Sequence, residues 1–434
     1  MGADQGAPDL SNGHNVVAAV DYQTAAAGLP ASADDKVFNP SIAASEEFID
    51  NVYGTPNGRK ADFITHLTPG LEIKYKAPFW DWDLAYLLDY VYFARHSMDY
   101  MLNHNINLTG NMRIIRDLLF LDLTDTYKKV SLDINRDTTV TSSFVNQADQ
   151  NILLVAPHVE LHPFPNMLLS SGYHYRKESY LNSTTTNATT YAIDKEEHGG
   201  FIKTVNELSS KSTFTSNLDY AYVSTEVGMH YNHFIPSLGI RYGFADNCVM
   251  DVSVGYSFFL FEHGPNTTGP YWNAGISYGF DHLTASLNTL VSYNTDPLRG
   301  STETRTYSGR LDKTLSRGSA GINAGYSDLR DNLSGQKLSE RFFAGANLKH
   351  DLTAKLSGHL DLTGEKVNDY ELNNLNSDRT TPYRLYAAVG INYEMADKLN
   401  LTLDYSYTTY LKSIWSGSNN TEINRVILGV KKTF

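Results

Sequence analysis

The chain has 434 residues, 29 of them Tyr, with a single Cys and a formal net charge of −13. The lone Cys248 excludes an internal disulfide, the negative balance argues against a nucleic-acid partner, and no apolar run is long enough for a transmembrane helix. A mean hydropathy of −0.35 fits a soluble protein, and equally a membrane barrel in which only alternate residues meet lipid.

Taken in chain order, the start "MGADQGAPDL" has no apolar leader and reads as a mature N-terminus behind a short replacement, with a signal peptide already removed. Residues 1–37, rich in Ala around "VVAAVDYQTAAAGLPASADDK", lack strand alternation. They are expected to form a periplasmic extension, either disordered or docking in a lumen or on a partner. From residue 38 to 434 the pattern changes to period two. In "WDWDLAYLLDYVYFA" (80–94), Trp80, Trp82, Leu84, Tyr86, Leu88, Tyr90 and Tyr92 share one face, and Asp81, Asp83 and Asp89 lie on the other. "MDVSVGYSFFL" (250–260), "LTASLNTLVSYN" (283–294), "KLSGHLDLTGE" (355–365) and "LNLTLDYSYTTYL" (399–411) repeat it. Such segments are half-buried strands. Aromatics gather at their ends (Phe79, Trp80, Tyr92, Tyr271, Trp272, Tyr410, Trp415), as in the girdles at the two interfaces of a membrane barrel.

The breaks between segments alternate in length. Short ones include "KAP" near 76, "TGN" near 109, "FADN" at 244–247, "FDH" at 280–282 and "MADK" at 395–398. Long polar ones include "GTPNGRK" at 54–60, "NRDTTVTSS" at 135–143, "LNSTTTNATT" at 181–190 and "NDYELNNLNSDRTT" at 368–381. This is the rhythm of an antiparallel barrel with tight turns on one rim and loops on the other. The expected fold is therefore all-β: one closed antiparallel transmembrane barrel of about 20 strands, with 18 as the alternative, both termini periplasmic, in the outer membrane of a Gram-negative bacterium. No loop is long enough to form a separate plug. If the apolar face meets lipid, the lumen is lined by Glu72, Asp81, Asp83, Asp89, Asp122, Asp251, Asp361, Glu365, Arg384, Glu394 and Asp404, with acids outnumbering bases. The final "VILGVKKTF" (426–434) is a strand. Gly429 and Phe434 fit the terminal signal read by barrel-insertion machinery, although Lys432 departs from it.

One resemblance is specific. "EEFIDNVYGTPNGRKADFITHLTPGLEIKYKAP" (46–78), with its D-N-V-Y strand end and following K-x-D-F-I-x-x-x-x-P-G, resembles outer-membrane β-barrel porins associated with exopolysaccharide and exosortase (PEP-CTERM) loci. "LNHNINLTG" (102–110), "LFLDLTDTYKKVSLD" (119–133) and "NQAD" (146–149) continue it, so that it covers the first third of the chain. The resemblance implies an outer-membrane conduit for an exopolysaccharide substrate, a passive pore working with a periplasmic polysaccharide-export protein. A general diffusion porin, or a barrel sheath around a multihaem cytochrome, are the alternatives. The chain has no Walker motif, no G-x-S-x-G and no H-E-x-x-H. His230 and His233 fall on opposite strand faces, and His158 and His162 flank a Pro-rich turn. No catalytic residue, metal or cofactor is therefore expected, and the chain reads as a non-enzyme whose other partners are outer-membrane lipid and the insertion machinery, with no nucleic acid.

Overall fold

The computed structural model describes residues 36–132, 147–184, 192–245, 247–294, 296–370, 383–411 and 420–434. They form twenty antiparallel strands, β1 (Lys36–Ile49) to β20 (Thr421–Thr433), each paired with its neighbour in sequence. The ring closes where β1 meets β20, in register from Ser41↔Thr433 to Ile49↔Arg425, and the Phe434 amide donates to the Pro40 carbonyl at 2.9 Å. The 20-strand expectation holds. The segment before β1 lies outside the described residues.

Connections after even-numbered strands are two to four residues long; those after odd-numbered strands run from four to fifteen. Both ends of the barrel sheet emerge at the short-turn rim. One expected turn is misplaced: "TGN" at 109–111 lies inside β4 (Met101–Ile115), and the turn falls at 116–118, where Asp117 takes φ 58°. The reason is steric. Gly110 pairs with Trp82 of β3 (Trp80–Phe93), and a Cβ there would sit 3.2 Å from the indole. The glycine seats an aromatic across the strand pair; it does not bend the chain.

The two faces differ in what they meet. Outward-facing apolar side chains stand exposed around the ring, among them Leu238, Val254, Leu287, Ile322, Val389 and Leu428. Exposed aromatics mark both edges of this band: Phe79, Trp80, Phe244, Phe280 and Tyr393 toward the short turns, and Phe63, Tyr92, Tyr220, Tyr256 and Tyr405 toward the loops. That is the pattern of a lipid-facing wall with interfacial girdles. Two residues expected in the girdles are not there. Tyr271 pairs with Gly255 on the inner face, and Tyr410 packs inward against Ile49, Val91 and Phe93. Trp415 lies outside the described residues.

Candidate functional site

The inner face is where the chain departs from an open tube. The sequence-expected lumen residues all fall on it by strand register, and several of the acids are met by a Lys, Arg or His side chain. Near the short turns, Lys74 lies 2.7 Å from Glu72 and 3.7 Å from Asp83, Arg113 lies 3.0 Å from Asp81, and Glu394 is exposed. Asp122 accepts from Asn111 at 2.6 Å, and Asp251 stands in register with Arg241. Deeper in, Asp89 lies 3.1 Å from His66 and Asp404 lies 3.3 Å from His359, while Asp361 stands opposite Asn347. Glu365 is different in kind. It is 5% exposed, lies 3.3 Å from Arg384, and also pairs with Arg341. Part of the acidic wall is thus paired with bases, so the excess of acids in sequence is not a wholly bare acidic surface. Gly429 is on the same inner face, between Ser45 and Thr402.

At the loop rim the lumen is packed. On one side, Ile49, Val52, Ile64, Val91, Phe93 and Ile423 form a buried cluster joined by Tyr53, Met98 and Tyr410. The D-N-V-Y stretch builds it: Asn51 is fully buried and donates to the carbonyls of Thr55 (2.8 Å) and Glu422 (3.0 Å), which turns Val52 inward. Asp62, also fully buried, accepts from the backbone amides of Phe63, Arg95 and Ser97 and so ties two loops together. Asn51, Val52 and Asp62 of the motif are therefore taken up in packing and in hydrogen bonds that hold the rim.

On the other side, the connection between β13 (Leu283–Tyr293) and β14 (Thr302–Leu315) turns into the barrel. Asn294, Asp296 and Ser301 are buried. The Pro297 carbonyl accepts from the Ile193 amide at 2.8 Å, and the Asp296 carbonyl accepts from Lys195 Nζ at 3.0 Å, at the start of β8 (Lys195–Ser209). The Tyr231 hydroxyl of β10 (His230–Ala245) donates to Asn294 Oδ1 at 3.0 Å, with the Gly300 carbonyl 3.4 Å away. Leu298 packs against Leu132, Ala148 and Ala192. Leu132 and Ala148 flank the connection between β5 (Leu119–Ser131) and β6 (Gln147–Phe164), eight strands round the ring from β13 and β14. Asn332 braces the far side, its amide bonding the Ser301 carbonyl at 3.2 Å.

The ring is too wide for the loop to span alone. Twenty strands about 4.8 Å apart make a ring roughly 30 Å across before tilt widens it. Eight residues folded back on themselves reach only about 13 Å. The ring must therefore curve sharply between the loop and that wall, which crowds the inner-face rings of the strands just before the loop. There the His233 and Tyr293 rings touch at 4.9 Å between centroids and Phe259 and Tyr293 at 5.0 Å, around a fully buried Tyr231. The barrel is pinched at this rim. Beneath the loop lies a dry polar cluster. Glu178, 3% exposed, takes hydrogen bonds from Gln150 (2.7 Å) and Arg176 (3.0 Å) and from the Tyr180 hydroxyl. His174 Nε2 lies 2.9 Å from Glu197 Oε1. Among the described residues no group of His, Cys, Asp and Glu forms a metal cage.

The inward loop was not legible in sequence. "NTDPLRGS" (294–301) offers one apolar residue, Leu298, and its seat comes from segments far away in the chain.

Comparison with known proteins places the architecture. No family model and no curated protein matches the chain. Solved structures do. The FrpB iron transporter from Neisseria meningitidis aligns with TM-score 0.52 at 8% identity, over 91% of this chain and 81% of that one. The siderophore receptor PirA from Pseudomonas aeruginosa aligns with TM-score 0.52 at 12% identity, over 92% and 80%. The copper transporter OprC aligns with TM-score 0.53 at 8% identity, over 92% and 81%. The expectation of a passive polysaccharide conduit is corrected on two counts. The solved barrels named above are iron, siderophore and copper transporters, and among the described residues the loop rim is partly occupied by the chain's own buried side chains. By architecture the chain is a closed 20-stranded antiparallel β-barrel, the fold it shares with these solved outer-membrane barrels.

Proposed function

We propose that the protein is an outer-membrane transporter of a small solute, one whose lumen rests closed and admits cargo selectively, with a metal ion or metal chelate as the cargo class. The observation that carries this reading is the packed loop rim. A polar wall lined with ion pairs supports passage of a hydrated solute, and a rim filled by the chain's own loop does not suit free diffusion. The named cargoes of the structural neighbours, iron, siderophores and copper, support the cargo class. The lipid-facing band and its two aromatic edges support a location in the outer membrane, with the short-turn rim in the periplasm.

Proteoliposome swelling separates this from a free pore. Purified barrel in liposomes challenged with arabinose or raffinose should swell no faster than empty liposomes. Swelling at the rate of an open wide barrel would show that the rim does not close the lumen, and the reading would fail.

A further inference from the structure

We infer that the lipid-facing wall between β12 (Thr267–Phe280) and β16 (Lys337–Asp351) is a lipid site: it takes one acyl chain of a phosphate-bearing lipid and meets the headgroup with Lys366. The site lies outside the lumen, so the inference goes beyond the transport reading and does not depend on it. Register sets three rows on this face. The upper row, toward the loops, is Tyr307, Tyr326, Phe342 and Lys366. The next is Gly309, Ala324, Ala344 and Gly364, and the third is Leu311, Ile322, Ala346 and Leu362. The upper rings lie side by side, with centroids 6.2 Å apart from Tyr307 to Tyr326 and 4.8 Å from Tyr326 to Phe342. Below them every side chain of the second row is a methyl group or a hydrogen. The result is an apolar groove of about 680 Å³, with Ile276, Tyr278 and Leu287 at one end and Leu311 and Ile322 along its lower side.

The floor is bounded at both ends. A Cβ on Gly309 would stand 3.0 Å from Leu287 Cδ2, and one on Gly364 would stand 3.5 Å from Leu385 Cδ2, so a leucine leans over the floor from either side. An acyl chain lying there touches apolar atoms on several sides and gains dispersion contacts that a convex stretch of wall does not offer. Charge selects the headgroup. Lys366 ends the row of rings, 5.8 Å from the Tyr383 centroid, and among the described residues it makes no ion pair. The bases nearer the loops are matched: Lys337 pairs with Glu340, and Arg330 Nε lies 3.4 Å from Asp328. Glu340 also accepts from Asn368 at 2.7 Å. The patch thus holds three bases against two acids on a chain whose net charge is −13, and Lys366 is its surplus. An ammonium beside interfacial rings, above an apolar groove, is complementary to a phosphate above an acyl chain.

Native mass spectrometry of the purified barrel tests the site with two probes of equal chain length, dimyristoyl phosphatidic acid and dimyristoylglycerol. Heat-modifiable migration first establishes that each variant is folded. The native barrel should bind a single phosphatidic acid, and bind it more tightly than the diacylglycerol. Lys366→Gln should weaken phosphatidic acid about tenfold, the scale of a hydrogen bond to a charged group, and leave the diacylglycerol unchanged. Ala324→Leu combined with Ala344→Leu fills the floor with side chains that lipid tolerates, and should abolish binding of both probes. Equal retention of phosphatidic acid by the native and the filled barrel overturns the groove. Equal affinity of the native barrel for the two probes overturns the role of Lys366. A lipid-free dimer that the filled variant loses would give this face to a second copy of the chain and overturn the proposal.

Discussion

Replacing Glu365 by Gln is expected to destabilise the barrel by about 3–5 kcal/mol, the usual cost of removing one partner from a buried ion pair. Glu365 is 5% exposed and contacts both Arg384, itself 6% exposed, and Arg341. The isosteric amide keeps the volume and withdraws the charge that both guanidinium groups meet. The matched control is Glu72→Gln. The Glu72–Lys74 pair is close, at 2.7 Å, but both side chains are around two-fifths exposed, so solvent screens it and the expected loss is about 0–1 kcal/mol. Urea titration of heat-modifiable migration measures both. If the two substitutions cost the same, the lumen near Glu365 is as wet as the short-turn rim, and the packed rim described here is wrong.

The second large effect is expected at Tyr231. Its ring is fully buried, 5.1 Å from Phe261 and 5.8 Å from Phe259, and its hydroxyl reaches the inward loop. Tyr231→Ala should cost about 3–5 kcal/mol through the cavity it leaves. Tyr231→Phe keeps the packing and removes only the hydroxyl, so its cost should be nearer 1–3 kcal/mol, set by the buried Asn294 Oδ1 losing its donor. The split between the two variants matters more than either value. An equal loss in both would place the hydroxyl, not the aromatic packing, at the centre of the pinch. No loss in either would mean that β10 and the loop do not meet.

How much of this was legible can be judged residue by residue. The outward and inward faces were, because alternation is a local property. Leu399, Leu401, Leu403 and Tyr405 against Asn400, Thr402 and Asp404 need no knowledge of any other strand. The number of strands and the short and long rims followed from the same rhythm. Gly110 was misread because a glycine in a strand and a glycine in a turn look alike until the partner, Trp82, is known. The acidic residues were put on the inner face, but their partners were not legible. Glu365 and Arg384 are joined by register across β17 (Leu356–Asp369) and β18 (Tyr383–Ala396), which no single segment encodes. The inward loop was missed for the same reason at longer range. The family resemblance rested on residues 46–78 and the segments at 102–110, 119–133 and 146–149; within it residues 50–53 and Asp62 build the turn that shapes the rim, which carries no information about cargo, so the polymer it implied had no support from the site.

The central claim is that the loop between β13 and β14 sits across the lumen against the wall at β5, β6 and β8. It is tested most directly by covalent capture. In a Cys248→Ser background, Leu298→Cys is combined with Ala192→Cys, two positions that share one packed cluster. Membranes holding the folded barrel are treated with a short bis-maleimide or with a bulky water-soluble maleimide. Rapid internal cross-linking of the pair, slow labelling by the bulky reagent, and a cross-linked barrel that stays silent in a bilayer are expected. Two freely labelled thiols with no cross-link would contradict it.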